Sequence, residues 1–181
     1  MDRRRVMANQ ASIDQIVLWY GVQQFYAREA HLLDDREFHQ WLDLMTEDIF
    51  YWMPMRRNRL RKEMKQEITG PGELAYFEES KRSLQVRVAR LDTGMAWAED
   101  PPSRTRHIVS NIMIDGSPGN TEIGVQSSML VYRTALEKEI EFFVGYREDV
   151  LRDVGGEWKL AKRTIVLDEA TLSEKNLSVF F

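Results

Sequence analysis

Four runs in the second half of the chain decide the fold: TRHIVSNIMID at 105–115, GVQSSMLVYRTAL at 124–136, IEFFVGYREDVLRDV at 140–154 and WKLAKRTIVL at 158–167. Each is rich in β-branched and aromatic residues and is bounded by residues that turn the chain. Between the first two, Asp115-Gly116-Ser117-Pro118-Gly119-Asn120 supplies positive-φ and proline-fixed positions, and Gly155-Gly156 does the same between the last two. Connections this short join antiparallel neighbours, so the runs predict a meander. In the third run Ile140, Phe142, Val144 and Tyr146 alternate with Glu139, Glu141, Gly145 and Arg147. That alternation predicts an even-numbered core face and leaves Phe143 as an exception on the outer face.

Upstream the period changes from two to about 3.6. Ser12 and Gln15 form a capping-box pair, and Ile13, Ile16, Val17, Tyr20 and Ala27 recur on one stripe, which predicts a first helix over roughly 12–32. That helix also carries Leu18, Trp19, Val22, Phe25 and Tyr26, more apolar surface than one buried face requires, so a second side must be covered by the sheet or by another chain. Asp34 and Glu37 repeat the cap signal and predict a short second helix from about Asp35. Residues 49–53, closed by Pro54, read as a short strand; 56–73, ending in Gly70-Pro71-Gly72, read as a loop; Glu78–Leu91 reads as a third helix. Helices followed by a long meander predict an α+β domain whose curved sheet wraps the helices. One domain over 1–181 is expected, with 1–11 as a flexible N-terminal extension.

Composition narrows the chemistry. The 181 residues are 43% hydrophobic and 30% charged with a net charge of −4, an ordinary globular balance that names no partner class. With no cysteine, disulfides, thiolate zinc sites, a cysteine nucleophile and a cysteine-held iron–sulfur cluster are all excluded. The start, Met1–Arg5, is basic, but Asp14 and Gln15 interrupt the apolar stretch after it, so neither a signal peptide nor a membrane span is expected. A cytoplasmic location fits.

Several residues invite a chemical reading. His31, Asp35 and His39 stand four apart, but eight residues at about 1.5 Å rise separate the histidines by about 12 Å, too far for one ion. His107, the one histidine in the sheet half, could serve as a general base with a carboxylate such as Asp168, the scheme of a stand-alone pocket enzyme. No Gly-x-Ser-x-Gly elbow or glycine-rich phosphate loop is present. Arg56, Arg57, Arg59, Arg61 and Lys62 form a basic cluster without an aromatic to stack on a base, so an acidic patch on a partner or plain solvation explains it better than nucleic acid.

A wider pattern then becomes legible. Ser103–Ile112 (SRTRHIVSNI), Val131-Tyr132-Arg133, Gly145–Arg152 (GYREDVLR), Trp158–Arg163 (WKLAKR) and Asn176–Phe181 (NLSVFF) resemble, in order, the later blocks of ring-hydroxylating dioxygenase β subunits. Leu33–Arg36 (LDDR) and Trp41–Pro54 are similar too, and Ala96–Ser103 (AWAEDPPS) looks most like the biphenyl, toluene and cumene branch. The resemblance implies a cone-shaped α+β fold of the scytalone dehydratase and ketosteroid isomerase type, with a strongly curved, mixed or antiparallel sheet. It implies a non-catalytic small subunit in an assembly of three large and three small chains. Its large chain would hold a Rieske [2Fe-2S] cluster and a mononuclear iron, receive NADH electrons through a separate reductase and ferredoxin, and cis-dihydroxylate aromatic hydrocarbons. No cofactor or metal is then expected in this chain, and no membrane or nucleic-acid partner. Because aromatic and arginine residues are enriched in interface cores, Trp52, Arg104, Arg106, Tyr146, Phe180 and Phe181 are the interface candidates. The pocket-enzyme reading of His107 stays open beside it.

Overall fold

The computed structural model describes residues 3–93, 101–135, 139–170 and 178–181, with side chains from residue 12 onward. Part of the Ala96–Ser103 stretch, Leu136, Asn176 and Leu177 therefore lie outside the described residues. In order come α1 (Arg3–Asp34), α2 (Phe38–Asp43), β1 (Met45–Pro54), a 3-10 helix (Arg61–Gln66), β2 (Ala75–Glu79), α3 (Lys81–Asp92), β3 (Arg104–Asp115), β4 (Glu122–Ala135), β5 (Glu139–Val154) and β6 (Glu157–Leu167).

The four predicted runs form the antiparallel ladder β3-β4-β5-β6. The ladder continues past β6 into β1, which runs parallel to it, and ends on β2, so the six-stranded sheet is mixed. On β3 the register slips between Ser110 and Met113, where Asn111 takes a left-handed φ of 52°. The extra residue switches the inward positions from odd to even numbers, a β-bulge that bends the strand. Gly145 is required where it stands, since a Cβ there would come within 2.1 Å of the Val166 carbonyl oxygen.

Several expectations are corrected. Helix α1 reaches back to Arg3, so Ser12 lies inside the helix and is not its cap. Its outward stripe is the predicted core stripe: Ile13, Ile16, Val17 and Tyr20 are exposed, whereas Leu18, Val22, Phe25 and Tyr26 enter the core. Helix α2 starts at Phe38 because α1 runs on to Asp34 and ends with Arg36 at a φ of 61°. Helix α3 begins three residues later than predicted, behind a Ser80–Ser83 capping box, because Ala75–Glu79 is drawn into the sheet beside β1. On β5 the faces are reversed: Phe143, Arg147, Asp149 and Leu151 are buried, and Ile140, Phe142 and Val144 are exposed. Residues 178–181 join no ladder.

Candidate functional site

The inner face of the sheet carries a buried ion network. Arg163 on β6 is fully buried and spends every N–H it has. Its Nε and Nη2 donate to Asp149 at 3.0 and 2.7 Å, Nη1 and Nη2 donate to Glu29 at 2.6 and 3.0 Å, and Nη1 also donates to the Phe181 main-chain oxygen at 2.8 Å. Around this centre Tyr26 donates to Asp149 at 2.9 Å, Trp41 to Glu29 at 3.3 Å and Arg147 to Glu29 at 3.2 Å. Two guanidinium groups thus balance two carboxylates, the condition under which charges can be buried. Burial alone would raise the Glu29 carboxyl, but Arg163 and then Arg147 more than reverse this and hold it below its ordinary value. Burial pushes the Tyr51 phenol up to about 12. That phenol donates to the Phe181 oxygen at 3.0 Å and accepts from the Phe181 N–H at 2.9 Å, which fixes the final residues in the core.

His107 sits at the edge of this interior with a carboxylate, but the carboxylate is Asp34 and not Asp168. Its Nδ1 lies 2.6 Å from Asp34 Oδ1, and its Nε2 donates to the Phe180 carbonyl oxygen at 3.0 Å. Asp34 also accepts from Thr105 Oγ1 at 3.2 Å, the His107 main-chain N–H at 3.1 Å and Arg106 at 3.3 Å. Both ring nitrogens are therefore taken up by acceptors of this chain, and neither is turned towards a substrate. Beside them runs a groove of about 320 Å³ between α1 and β3, lined by Tyr26, Ala27, His31, Ile108 and Ile112 among others. Asp168 lies elsewhere, exposed and 3.6 Å from Arg56. The geometry makes His107 a clasp joining the end of α1, the start of β3 and the final residues. His107→Ala is accordingly expected to cost about 1–3 kcal/mol by stranding the nearly buried Asp34. In a thermal melt that is a fall of about 3–10 °C. An unchanged melt together with loss of an activity of the isolated chain would reinstate the general-base reading.

The metal spacing dissolves as well: His39 pairs with Asp92 at 2.9 Å on the surface, while His31 lines the groove. Among the described residues no three His, Asp or Glu side chains converge as a metal site, and the donor set cannot hold a Rieske cluster because the chain has no cysteine. Among the same residues no helix is long and apolar enough to cross a membrane.

The outer face of the sheet is where apolar groups meet solvent. Register places Ile108 beside Leu130, Leu130 beside Val144, Tyr132 beside Phe142 and Thr134 beside Ile140. Ile108, Ile140 and Phe142 are each more than half exposed, and the Tyr132 and Phe142 rings pack at 5.4 Å. Arg104 and Arg106 border this patch on β3, and Tyr146 extends it along β5, half-buried. The other interface candidates lie inside the chain. Phe180 packs on Trp41 at 4.6 Å, Phe181 packs on Phe143 at 5.4 Å, and Trp52 stacks on Phe50 with only 9% of its surface exposed. Such burial leaves these three little or no area for a partner.

The model of the family described as "Ring hydroxylating beta subunit" matches residues 28–174. Biphenyl 2,3-dioxygenase subunit beta of Rhodococcus jostii is 43% identical over 91% of this chain and 89% of its own length. The chain belongs to the ring hydroxylating beta subunit family. A second relative of this β subunit, benzene 1,2-dioxygenase subunit beta of Pseudomonas putida, is 40% identical over 91% of this chain and 89% of its own length. Solved structures place the fold. Naphthalene 1,2-dioxygenase superposes with a TM-score of 0.76 at 24% identity, covering 88% of the β subunit and 83% of that chain. A Novosphingobium aromaticivorans protein assigned as a scytalone dehydratase superposes with a TM-score of 0.65 at 18% identity, covering 87% and 89%. The fold and family implied by the sequence blocks are those observed.

Proposed function

We propose that the chain is the non-catalytic small subunit of an aromatic-ring dioxygenase's terminal oxygenase, and that it holds the catalytic large chain against the outer face of its sheet. The observation that carries this reading is the cluster of Ile108, Ile140, Phe142 and Val144, exposed together on a face that the described residues leave uncovered. Contiguous apolar patches rimmed by polar groups mark protein contacts. Arg104, Arg106 and Tyr146 supply the arginine and aromatic rim typical of such contacts. The relatives act on biphenyl and benzene, so an aromatic hydrocarbon is the substrate class of the assembled enzyme, with dihydroxylation to a cis-dihydrodiol. The Rieske cluster and mononuclear iron belong to the large chain, fed with NADH electrons through a reductase and ferredoxin, in a hexamer of three large and three small chains. Occupation of this chain's interior by the Glu29–Arg163 network and by the final residues is consistent with a scaffold and leaves His107 no free nitrogen for chemistry.

Phe142→Asp tests the proposal, because the position is exposed and the substitution should spare the fold. Co-expression with the large chain is expected to recover less than about one tenth of the wild-type complex, since desolvating one unpaired carboxylate in an interface core costs several kcal/mol. The isolated variant should melt like the wild type. Full recovery of the complex would remove the outer face from the contact.

A further inference from the structure

The basic cluster noted in the sequence is split by the fold into an anchor and an arm. Arg56 is the anchor: its Nε donates to the Leu167 carbonyl oxygen at 2.7 Å, and its guanidinium is paired with Glu67. The main chain is clamped at the same place, with Arg57 N–H donating to Glu67 O at 2.7 Å, Thr69 N–H to Met55 O at 3.1 Å and Met55 N–H to Thr69 Oγ1 at 2.9 Å. Between these clamps most side chains are exposed. Arg57, Arg59, Arg61, Lys62 and Lys65 are exposed, and against five cations the arm has one anion, Glu63, for a net +4 in a chain that totals −4. Lys62 lies 4.0 Å from Glu63, and among the described residues Arg57, Arg59, Arg61 and Lys65 make no ion pair. Leu60 and Met64 are also exposed, at 66% and 57%.

The place of the arm matters as much as its charge. Arg56 bonds to Leu167, and Leu167 pairs with Gly145 next to Tyr146, so the root of the arm adjoins the Tyr146 end of the apolar outer face. Arm and face make one continuous surface with an apolar centre and a basic margin. A complementary surface has an apolar centre and an acidic margin. Two features favour a protein over a nucleic acid as the owner of that margin. The arm holds no aromatic on which a base could stack, and it mixes arginines with exposed Met and Leu, as protein interfaces do.

We infer that residues 57–66 are a steering arm that docks on an acidic margin of the large catalytic chain, beside the contact centred on Phe142; this rests on the outer face being the large-chain contact. Charges at the edge of an interface act over about a Debye length, roughly 8–10 Å at ordinary salt, and govern the rate of encounter more than the lifetime of the complex. The inference therefore concerns how fast, and against what competition, the chain is taken up.

The test is a competition. Wild-type chain and the triple variant Arg57→Glu, Arg59→Glu, Arg61→Glu, carrying different tags, are co-expressed with limiting large chain, and the incorporated ratio is read by mass spectrometry of the purified complex. The variant is expected to be incorporated at about one tenth of the wild-type level or less. An Arg57→Lys, Arg59→Lys, Arg61→Lys variant should match the wild type. On mixing the separate chains, the wild-type association rate should fall on the order of tenfold from 0.05 to 0.5 M salt and converge there with the Glu variant. Equal incorporation of wild type and Glu variant in complexes that do form would overturn the arm's role while leaving the outer face intact. Retention of nucleic acid by the wild type but not the Glu variant, with equal incorporation, would also overturn it and assign the arm to a polyanion. Failure of the wild-type chain itself to capture the large chain would remove the contact on which the inference rests.

Discussion

Deletion of Val179, Phe180 and Phe181 is expected to lower the melting temperature of the assembled complex by about 12–36 °C and to cut its yield. The two phenylalanine rings are essentially buried, against Trp41, Phe38 and Phe143, and exposing the cavity they leave forfeits about 1.5–3 kcal/mol each. Arg163, Tyr51 and His107 each lose a main-chain partner as well, at about 1 kcal/mol apiece. For a domain of this size each kcal/mol is worth about 2–4 °C. Because the chemistry is assigned to the large chain, turnover per intact iron centre should hardly change. Scanning fluorimetry and iron-normalised turnover on the purified complex make the check. Unchanged melting and yield would show the final residues to be dispensable. A large fall in turnover per iron within intact complexes would show that this chain shapes the active site.

Arg163→Met is the second large effect. It keeps the bulk of the side chain but leaves Glu29 and Asp149, both essentially buried, with Arg147 as the remaining guanidinium of the network. Removing one partner of a buried pair costs about 3–5 kcal/mol, so a fall of about 10 °C or more is expected, measured by denaturant and thermal unfolding. The same network sets the pH range of the native state. Glu29 is held below its ordinary 4.5, so its contribution is present above that value and is lost as pH falls through the folded value. Tyr51 is raised from 10.0, so its contribution is intact below pH 10 and is lost as pH rises towards about 12. Unfolding free energy should therefore form a plateau between these limits. Wild-type stability for Arg163→Met would mean that the network is a by-product of the fold and not a support for it.

How far the sequence reveals this arrangement depends on what each signal measures. Turn residues report local backbone geometry, and the hairpins at Asp115–Asn120 and Gly155–Gly156 are found where they were expected. Polarity alternation reports burial only on the assumption that charges stay in water. On β5 that assumption fails: Arg147 and Asp149 face inward because Glu29 lies 118 residues from Arg147 and Arg163 lies 14 from Asp149. No local window contains the Glu29 partner of Arg147, so the exposed face of Ile140, Phe142 and Val144 was read as core. The same inversion on α1 made Ile13, Ile16, Val17 and Tyr20 look buried. Phe143 and Leu151, two apolar residues on the odd positions of β5, were the available hint. For His107 the histidine was found but its carboxylate was not, since Asp34 reads in sequence as a helix cap and Asp168 as a free acid at a strand end. The parallel strand β1 was missed as a neighbour of β6 because parallel pairing leaves no turn between the partners to read.

The network also has a consequence in time. Glu29 and Arg163 are 134 residues apart, and the same guanidinium reaches Phe181. At about 5–20 residues per second, a ribosome needs on the order of 10 s after making α1 to deliver the arginine that neutralises its carboxylate. Throughout that interval the apolar side of the helix has no sheet to lie on and its acid no counter-ion. The chain cannot close segment by segment as it emerges; its core locks only when residues 163–181 have cleared the exit tunnel. Synthesis of this subunit should thus lean on the chaperones that hold nascent chains, and substitutions that slow its last strand should appear as aggregation before they appear as instability.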